Sequence, residues 1–251
     1  MIIEYDGSGY VGWQTQPNGL AVQEVLEQAI QSVTGETVTL QGSGRTDSGV
    51  HARAQVAHFD TAARMAADKF SYALNTFLPA DIRVLFSEEA PPDFHSRFSA
   101  KEKSYRYTVQ LGPHARVQTR STALHIHTVP DLGRMCQASQ EVIGEHDFRS
   151  FMSAGTQMEN TVRTVFRSSW SRDGFYLHYD VTGNGFLYNM VRILVGTMLE
   201  IGNGKLPVSA IQDAFTCPDR SLAGATAPAK GLTLYRVKYP DFDTDEIIKS
   251  L

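Results

Sequence analysis

The sequence predicts an α+β protein made of two units that each follow the order strand, helix, strand, strand, helix, strand. Short apolar alternations and amphipathic helical patterns follow one another in that order along residues 1–92. The same order recurs, with additional segments, along residues 93–251, after a break at Ala90-Pro91-Pro92. This βαββαβ order is that of ferredoxin-like units. Two such antiparallel or mixed sheets placed side by side would leave a central cleft, a usual place for a ligand.

The first half, residues 1–92, is expected to hold four strands and two helices. The strands are the short apolar runs over residues 2–5, 38–40, 54–59 and 82–86. One helix is expected from Val22 to Val33, where apolar residues recur at every third or fourth position, and Gly35 ends it. The other helix is expected over residues 68–77, with Phe77 on its apolar face and Pro79 beyond its end.

The second half, residues 93–251, repeats this alternation with insertions. Its strands are expected over residues 103–111, with 119–127 as a partner, over the hairpin arms 163–170 and 175–181, and over 232–237. Its helices are expected over residues 132–143, from Leu187 to Met198, and from Pro207 to residue 215.

The composition is that of an ordinary globular chain. With 251 residues and 42% apolar residues, the core needs no disulfide or metal to hold it. Cys136 and Cys217 lie far apart in no CxxC pattern, which indicates reduced thiols and a cytoplasmic protein. No run of about 18 apolar residues and no basic leader appears, so we expect neither a membrane span nor a secretory signal. The chain opens inside the first apolar alternation, so we expect that strand to be short by a few residues at its start.

Histidine spacing gives no support for a metal site. The chain has eight histidines but no HxxxH or HExxH pattern. His125 and His127 alternate on one strand face with few other ligands nearby in sequence. We therefore expect no metal.

One loop concentrates the polar chemistry of the chain. Residues 42–52 hold three glycines, three hydroxyl side chains, Arg45, Asp47 and His51 between two strand-like runs. In an extended stretch, residues two positions apart share a face, so Arg45 would keep the Asp47 carboxylate ionised and able to act as nucleophile or base. The alternative is a polar turn in which Asp47 accepts hydrogen bonds from local backbone amides.

Two residues of the second half are further candidates. Tyr105 lies among basic residues in Lys103-Ser104-Tyr105-Arg106-Tyr107, a pattern suited to stacking on an RNA base, although strands also bury tyrosines in their cores. Arg192 is the charged residue of an otherwise apolar helix, away from its apolar stripe. Its alternative is an ordinary solvated helix face.

The charge distribution is uneven. The net charge is −4, which argues against broad nucleic-acid binding. The segment 97–120, however, carries six basic residues against Glu102, and these are Arg97, Lys101, Lys103, Arg106, Arg116 and Arg120. This basic stripe is compatible with a localised phosphate-binding cleft.

Several motifs together resemble the tRNA pseudouridine synthase A family. The most specific is Gly44-Arg45-Thr46-Asp47-Ser48-Gly49-Val50-His51-Ala52, in which the family usually has alanine at position 48. The other motifs follow in the family's order along nearly the whole chain, at residues 4–7, 12–14, 94–100, 103–107, 144–148, 186–192 and 227–232.

The resemblance implies a cofactor-free isomerase that converts uridine to pseudouridine at positions 38, 39 and 40 of the tRNA anticodon stem-loop. Asp47 would be the catalytic aspartate, and Tyr105 would stack on the flipped base. Arg45 would hold the nucleotide out of the stack, Arg192 would pair with Asp47, and Leu232 would line the uracil pocket. The family also acts as a homodimer that grips one tRNA, and the basic stripe fits its phosphate contacts.

Two other readings of the residues remain. A non-catalytic RNA-binding ferredoxin-like module would use the aromatic and basic residues alone and would need Asp47 only as a turn residue. A hydrolase with a carboxylate nucleophile would need Mg²⁺ or a second acid near Asp47, and the loop supplies none. The domain prediction is residues 1–92 with the Asp47 loop, and residues 93–251 with RNA-binding and pocket residues.

Overall fold

A computed structural model describes residues 1–153, 155 and 158–251. The chain forms two compact units. The first unit is Met1–Lys103 together with Thr233–Leu251, and the second is Ser104–Leu232. The first unit therefore takes residues from both ends of the chain, and the predicted boundary between residues 92 and 93 stays a prediction.

The described residues contain helices and strands in an α+β arrangement. The helices are α1 (Val22–Thr34), α2 (Phe70–Asn75), α3 (Leu132–Gln140), α4 (Met190–Gly202), α5 (Ala210–Thr216) and α6 (Thr244–Ser250). The strands are β1 (Ile2–Tyr5), β2 (Gln41–Gly42), β3 (His51–His58), β4 (Ile82–Phe86), β5 (Glu102–Leu111), β6 (Leu124–Ile126), β7 (Gly144–Asp147), β8 (Val162–Asp173), β9 (Tyr176–Gly183) and β10 (Leu232–Lys238).

The sheet of the first unit has β1 at its centre. β1 pairs antiparallel with β4 on one side and with β3 on the other. β3 in turn pairs antiparallel with β2 and parallel with β10. The strand and helix order β1, α1, β2, β3, α2, β4 confirms the predicted ferredoxin-like order for residues 1–92.

Helix α1 forms where the apolar spacing predicts it. Val22, Leu26 and Ile30 are fully buried on one face, and the exposed positions of the helix are polar. Gly35 ends the helix in the left-handed conformation, with φ 77°, and its amide donates to the Gln31 carbonyl.

The predicted strand over residues 38–40 is wrong. The pairing begins only at Gln41, and the backbone of Leu40 is taken by side chains of α1 instead. Its amide donates to Glu27 Oε1 at 2.9 Å, and its carbonyl accepts from Gln23 Nε2 at 3.1 Å. These two bonds satisfy the groups that a strand ladder would have used.

The predicted helix over residues 68–77 is shorter than expected. A 3₁₀ turn covers Ala67–Lys69, and α2 ends at Asn75. Phe77 is 57% exposed, whereas Leu78 is 7% exposed and takes the inward position. The Leu78 amide donates to the Leu74 carbonyl, which carries Leu78 back onto the helix face.

The strands of the second unit follow the order β5-β9-β8-β7, with β6 parallel to β5. The predicted hairpin is confirmed and is longer than expected, since β8 and β9 pair from Val165 and Gly183 to Asp173 and Tyr176. The predicted partner over residues 119–127 shrinks to β6, because a 3₁₀ turn occupies Val117–Thr119. Helix α3 packs on β8 and on α4.

Three predicted helix bounds of the second unit shift. Helix α3 ends at Gln140, and α5 starts at Ala210 rather than at Pro207. Helix α4 starts at Met190 and leaves Leu187 before its first turn. Asn189 causes this late start, because its φ of 60° is left-handed and cannot continue a right-handed helix toward Leu187.

No helix among the described residues has the length and apolar character that a membrane crossing requires.

Candidate active site

The Asp47 loop joins β2 to β3, and its last residues belong to β3. His51 and Ala52 are the first residues of that strand and are buried. Asp47 itself is half-buried and forms an isolated antiparallel bridge with Gly12. Its carbonyl accepts from the Val50 amide at 3.0 Å, which closes a tight turn with Gly49 at φ 76° in the third position.

A second segment, residues 7–13, presses against this loop. The Trp13 amide donates to the Thr46 carbonyl at 3.1 Å, one residue before Asp47. A Cβ on Gly12 would lie 2.5 Å from the Thr46 carbonyl oxygen, and Gly12 has a φ of 117°. A Cβ on Gly7 would lie 2.0 Å from the Val50 carbonyl oxygen. Glycine is therefore required at both positions, and the two close approaches fix the backbone on either side of Asp47.

Two buried hydroxyl groups connect the Asp47 loop to β1. Tyr5 and Thr46 join their hydroxyls at 2.8 Å, and both side chains are buried. Burial raises the pKa of Tyr5 well above its ordinary value, so the phenol stays protonated and can donate. The Asp47 backbone is thus anchored to β1 through the residue that precedes it.

The start of the loop is fixed by a buried amide side chain and a lysine. Ser43 Oγ donates to Gln55 Oε1 at 2.6 Å, and Gln55 Nε2 donates to the Gly44 carbonyl at 2.8 Å. Lys103 Nζ donates to the Ser43 carbonyl. Arg45 follows immediately and is exposed, so its guanidinium reaches solvent from a fixed backbone.

The remaining candidates lie in the second unit. Tyr105 on β5 is 8% exposed, and its ring meets Phe186 edge-on with centroids 5.2 Å apart. Tyr107 is fully buried and donates to the Pro228 carbonyl at 2.8 Å, so it is a core residue. Leu232 begins β10 and is 5% exposed.

Arg192 is oriented by the start of its own helix. It lies in the first turn of α4 and is half-buried, so the solvated-face interpretation is wrong. Its Nη1 donates to Asn189 Oδ1 at 2.7 Å, and its Nε donates to the Ala227 carbonyl at 2.8 Å. Asn189 also donates from Nδ2 to Ser153 Oγ at 2.6 Å. Charge-assisted bonds of this kind hold a guanidinium in one direction.

The residues of the basic stripe differ in their contacts and belong to different units. Arg106 makes two hydrogen bonds to the Asp180 carboxylate, at 2.7 and 3.0 Å, and is neutralised there. Arg97 and Lys103 belong to the first unit, whereas Arg116 belongs to the second, where its guanidinium lies 5.0 Å from the Phe175 ring centroid. Sequence proximity alone could not separate paired from unpaired cations.

Sequence reasoning missed three positioning residues. Gly7, Gly12 and Asn189 lie in the motifs at residues 4–7, 12–14 and 186–192, but no spacing rule marks their contacts. A glycine two residues after a strand and an asparagine at a helix start are weak signals on their own. Within the described part of the chain, no group of three His, Cys, Asp or Glu residues could hold a metal ion.

Comparisons with known proteins cover nearly the whole chain. A family model described as tRNA pseudouridine synthase matches residues 1–99 and 138–240. A protein of Ruminiclostridium cellulolyticum named tRNA pseudouridine synthase A is 45% identical over 240 residues, which are 95% of this chain and 98% of that protein. Proteins of the same name from Brevibacillus brevis and Geobacter sulfurreducens are 45% and 46% identical, over 95% of this chain and 98% of each relative.

Proposed function

Since this chain belongs to the tRNA pseudouridine synthase A family and is an isomerase that forms pseudouridine in tRNA, we propose that Asp47 carries the reaction. We further propose uridines 38, 39 and 40 of the anticodon stem-loop as its targets, as the resemblance implies. Because tRNA is the substrate, the proposed location is the cytoplasm, and the proposed active form is a homodimer that grips one tRNA.

The rigid presentation of Asp47 is the observation that supports this role. Its neighbours Thr46 and Val50 are held by close glycine approaches at Gly12 and Gly7, so the backbone that carries Asp47 is fixed on both sides. Fixed geometry lets a bound group react without first losing conformational freedom. The loop also begins and ends on buried hydrogen bonds of β3 and its partners.

The reaction is balanced without any other reactant. The N1–C1′ glycosidic bond of uridine breaks, the uracil turns, and a C5–C1′ bond forms. The proton on C5 leaves and N1 gains one, so nothing is oxidised or reduced and no water is consumed. An ionised carboxylate serves either as the nucleophile that holds the ring or sugar between the two bonds or as the base that moves these protons.

The other candidate residues receive roles that match their surroundings. Tyr105 has a ring fixed by Phe186, and we propose that it stacks on the flipped uracil and helps to remove the C5 proton. Arg45 is exposed and would hold the flipped nucleotide. Leu232 would form an apolar wall against the base. Arg192 and Asp47 belong to different units, and their pairing stays a prediction.

The test is release of tritium from tRNA labelled at uridine C5. We expect release by the wild-type protein, unaffected by EDTA, and a rate at least about a thousandfold lower for Asp47→Asn, since removing a reacting group has effects of this size. Asp60→Asn is the matched control, because Asp60 is an exposed carboxylate beyond the other end of β3, and it should keep the wild-type rate.

Two results would contradict the proposal. Release by Asp47→Asn at the wild-type rate would return Asp47 to a structural turn. Binding of tRNA by the wild-type protein without any release would instead favour the non-catalytic RNA-binding module.

A further inference from the structure

An aromatic ladder runs from the core of the first unit to its surface. Tyr239 is 2% exposed, and its ring lies 5.2 Å from that of Phe94. Phe94 meets His58 edge-on at 5.9 Å, and His58 meets His95 at 4.8 Å. The ladder ends on Phe98, whose ring lies 4.3 Å from that of His95 and which is 73% exposed. An aromatic ring that is supported by His95 is therefore largely open to solvent.

The turn that carries Phe98 is held rigidly. The amides of Arg97 and Phe98 donate to His95 Nδ1 at 3.1 and 3.4 Å. The Ser99 amide donates to the His95 carbonyl at 2.9 Å. Ser96 is fully buried and donates from Oγ to the Gln41 carbonyl at 2.7 Å. A ring fixed in this way loses little conformational entropy when a planar ligand stacks on it.

The Arg97 guanidinium lies beside this ring, and Lys103 lies close enough to Arg97 for the two charges to interact. The Arg97 guanidinium lies 5.6 Å from the Phe98 ring centroid and is exposed. The Lys103 amine donates to the Ser43 carbonyl and would lie 3.4 Å from a Cβ on Gly44, so it sits against the start of the Asp47 loop. Burial and the nearby positive charge of Arg97 lower the pKa of Lys103 to about 8.

Among the described residues, no carboxylate forms an ion pair with either of these cations. Among the ion pairs of residues 1–153, 155 and 158–251, none involves Arg97 or Lys103. Glu102 is next to Lys103 in sequence but pairs with Arg236 and Lys238. Two like charges held near each other are costly unless an anion joins them.

We propose that Phe98, Arg97 and Lys103 form a nucleotide subsite of the bound tRNA. An unpaired base stacks on the exposed ring of Phe98, and the phosphate attached to it lies between Arg97 and Lys103. This inference rests on the proposed function, because the nucleotide is a neighbour of the uridine that Asp47 isomerises. Stacking on an aromatic ring combined with phosphate contacts is how proteins hold unpaired nucleotides.

Binding of a tRNA transcript, measured by fluorescence anisotropy across a salt series, separates the two parts of the subsite. For Phe98→Ala we expect Kd to rise roughly 5- to 150-fold at every salt concentration, since stacking is uncharged. Phe98→Trp should restore the wild-type Kd. For Arg97→Gln we expect the slope of log Kd against log salt to fall by about 0.7 to 1, the value of one released counterion.

Lys103→Gln keeps a donor for the Ser43 carbonyl but removes the charge, so its salt slope should fall by the same amount as that of Arg97→Gln. Tyr72→Ala is the matched control for Phe98→Ala. Tyr72 is 72% exposed and has the Lys69 amine 5.6 Å from its ring, yet it takes no part in the aromatic ladder. It should bind tRNA like the wild type.

A Phe98→Ala variant that binds tRNA as tightly as Tyr72→Ala would overturn the subsite. So would a Phe98→Ala variant whose sedimentation shows a changed oligomeric state with unchanged RNA affinity, since Phe98 would then contact a second copy of the chain. If the slope of log Kd against log salt is unaltered in both Arg97→Gln and Lys103→Gln, the subsite does not bind a phosphate. Because these measurements report binding, they stand apart from tritium release, and a loss of catalysis in Asp47→Asn with normal binding would leave the subsite intact.

Discussion

Replacing Gly7 by alanine tests whether residues 7–13 position the Asp47 loop. The new Cβ would lie 2.0 Å from the Val50 carbonyl oxygen and 2.6 Å from its carbonyl carbon. Real contacts of this kind stay above 3.0 Å, so the two backbones must separate by about 1 Å. No side-chain rotation can relieve the clash, because both partners are backbone atoms.

The separation acts on stability and on rate. It strains the hydrogen bonds from the Gly7 amide to His51 Nδ1 and from the Tyr10 amide to the Gly7 carbonyl, both 3.1 Å long. Overpacking and weakened hydrogen bonds together should lower the free energy of unfolding by about 3 kcal/mol. If Asp47 is the reacting group, as proposed, a displacement of about 1 Å beside it should lower kcat about a hundredfold.

Gly9→Ala is the matched control within the same turn. A Cβ on Gly9 meets nothing within 4 Å, and neither Gly7 nor Gly9 has a positive φ, so the two variants differ only in the clash. We expect Gly9→Ala to keep the wild-type kcat and to be equally stable or slightly more stable. Tritium release at saturating tRNA and urea unfolding followed by circular dichroism measure both effects. A kcat for Gly7→Ala within twofold of that for Gly9→Ala would refute the reasoning.

Three further predictions follow from other contacts. Asn189→Gly keeps the left-handed backbone but removes the hydrogen-bond acceptor of Arg192, so kcat should fall by roughly 10- to 100-fold, whereas Asn189→Asp should keep a kcat near that of the wild type. Equal rates for the two variants would show that this hydrogen bond does not contribute to kcat. Tyr105→Phe should keep base stacking and the wild-type KM for tRNA, whereas Tyr105→Ala should lose the stacking and raise KM. Equal activity of the two variants would show that Tyr105 is not part of the site. Burial raises the pKa of Asp243, but hydrogen bonds from Arg236, including a bifurcated one from Nε to both carboxylate oxygens at 2.8 Å, outweigh burial and hold the pKa below its ordinary value. The stabilisation is therefore complete above the unfolded pKa of about 4 and is lost as pH falls through the lower folded pKa. Asp243→Asn should lower the free energy of unfolding by about 2 kcal/mol at pH 7. In urea titrations, its difference from the wild type should shrink below about pH 4. A difference that does not depend on pH would contradict an ionic origin of the stabilisation.

Local patterns were enough for much of the fold. The apolar stripe of α1 with Gly35 after it, and the hairpin of β8 and β9, were predicted from residues that are neighbours in sequence or nearly so. The same holds for the candidate loop, since Asp47 and Arg45 stand in one short motif. These features could be read because helix and strand periodicity and turn chemistry act over a few residues.

Other outcomes depended on contacts that local periodicity does not record. The strand predicted over residues 38–40 failed because Glu27 and Gln23 of α1 bind the Leu40 backbone. The prediction that Phe77 lies on the buried face was wrong because the chain after α2 places Leu78 in the core instead. In each case a tertiary hydrogen bond or packing choice outweighed a local preference.

Patterns in the sequence were enough to identify the family, the α+β class, the main helices, the hairpin and the loop that presents Asp47. The folded structure was needed to show which glycines press against that loop, which acceptors bind Arg192, and which cations form no ion pair among the described residues. Gly7 and Val50, like Arg192 and Ala227, are tens of residues apart, and no pattern in the letters records that they touch. The physical reason is that periodicity reports which face of an element is apolar, whereas close approach and charge pairing depend on how folded elements meet.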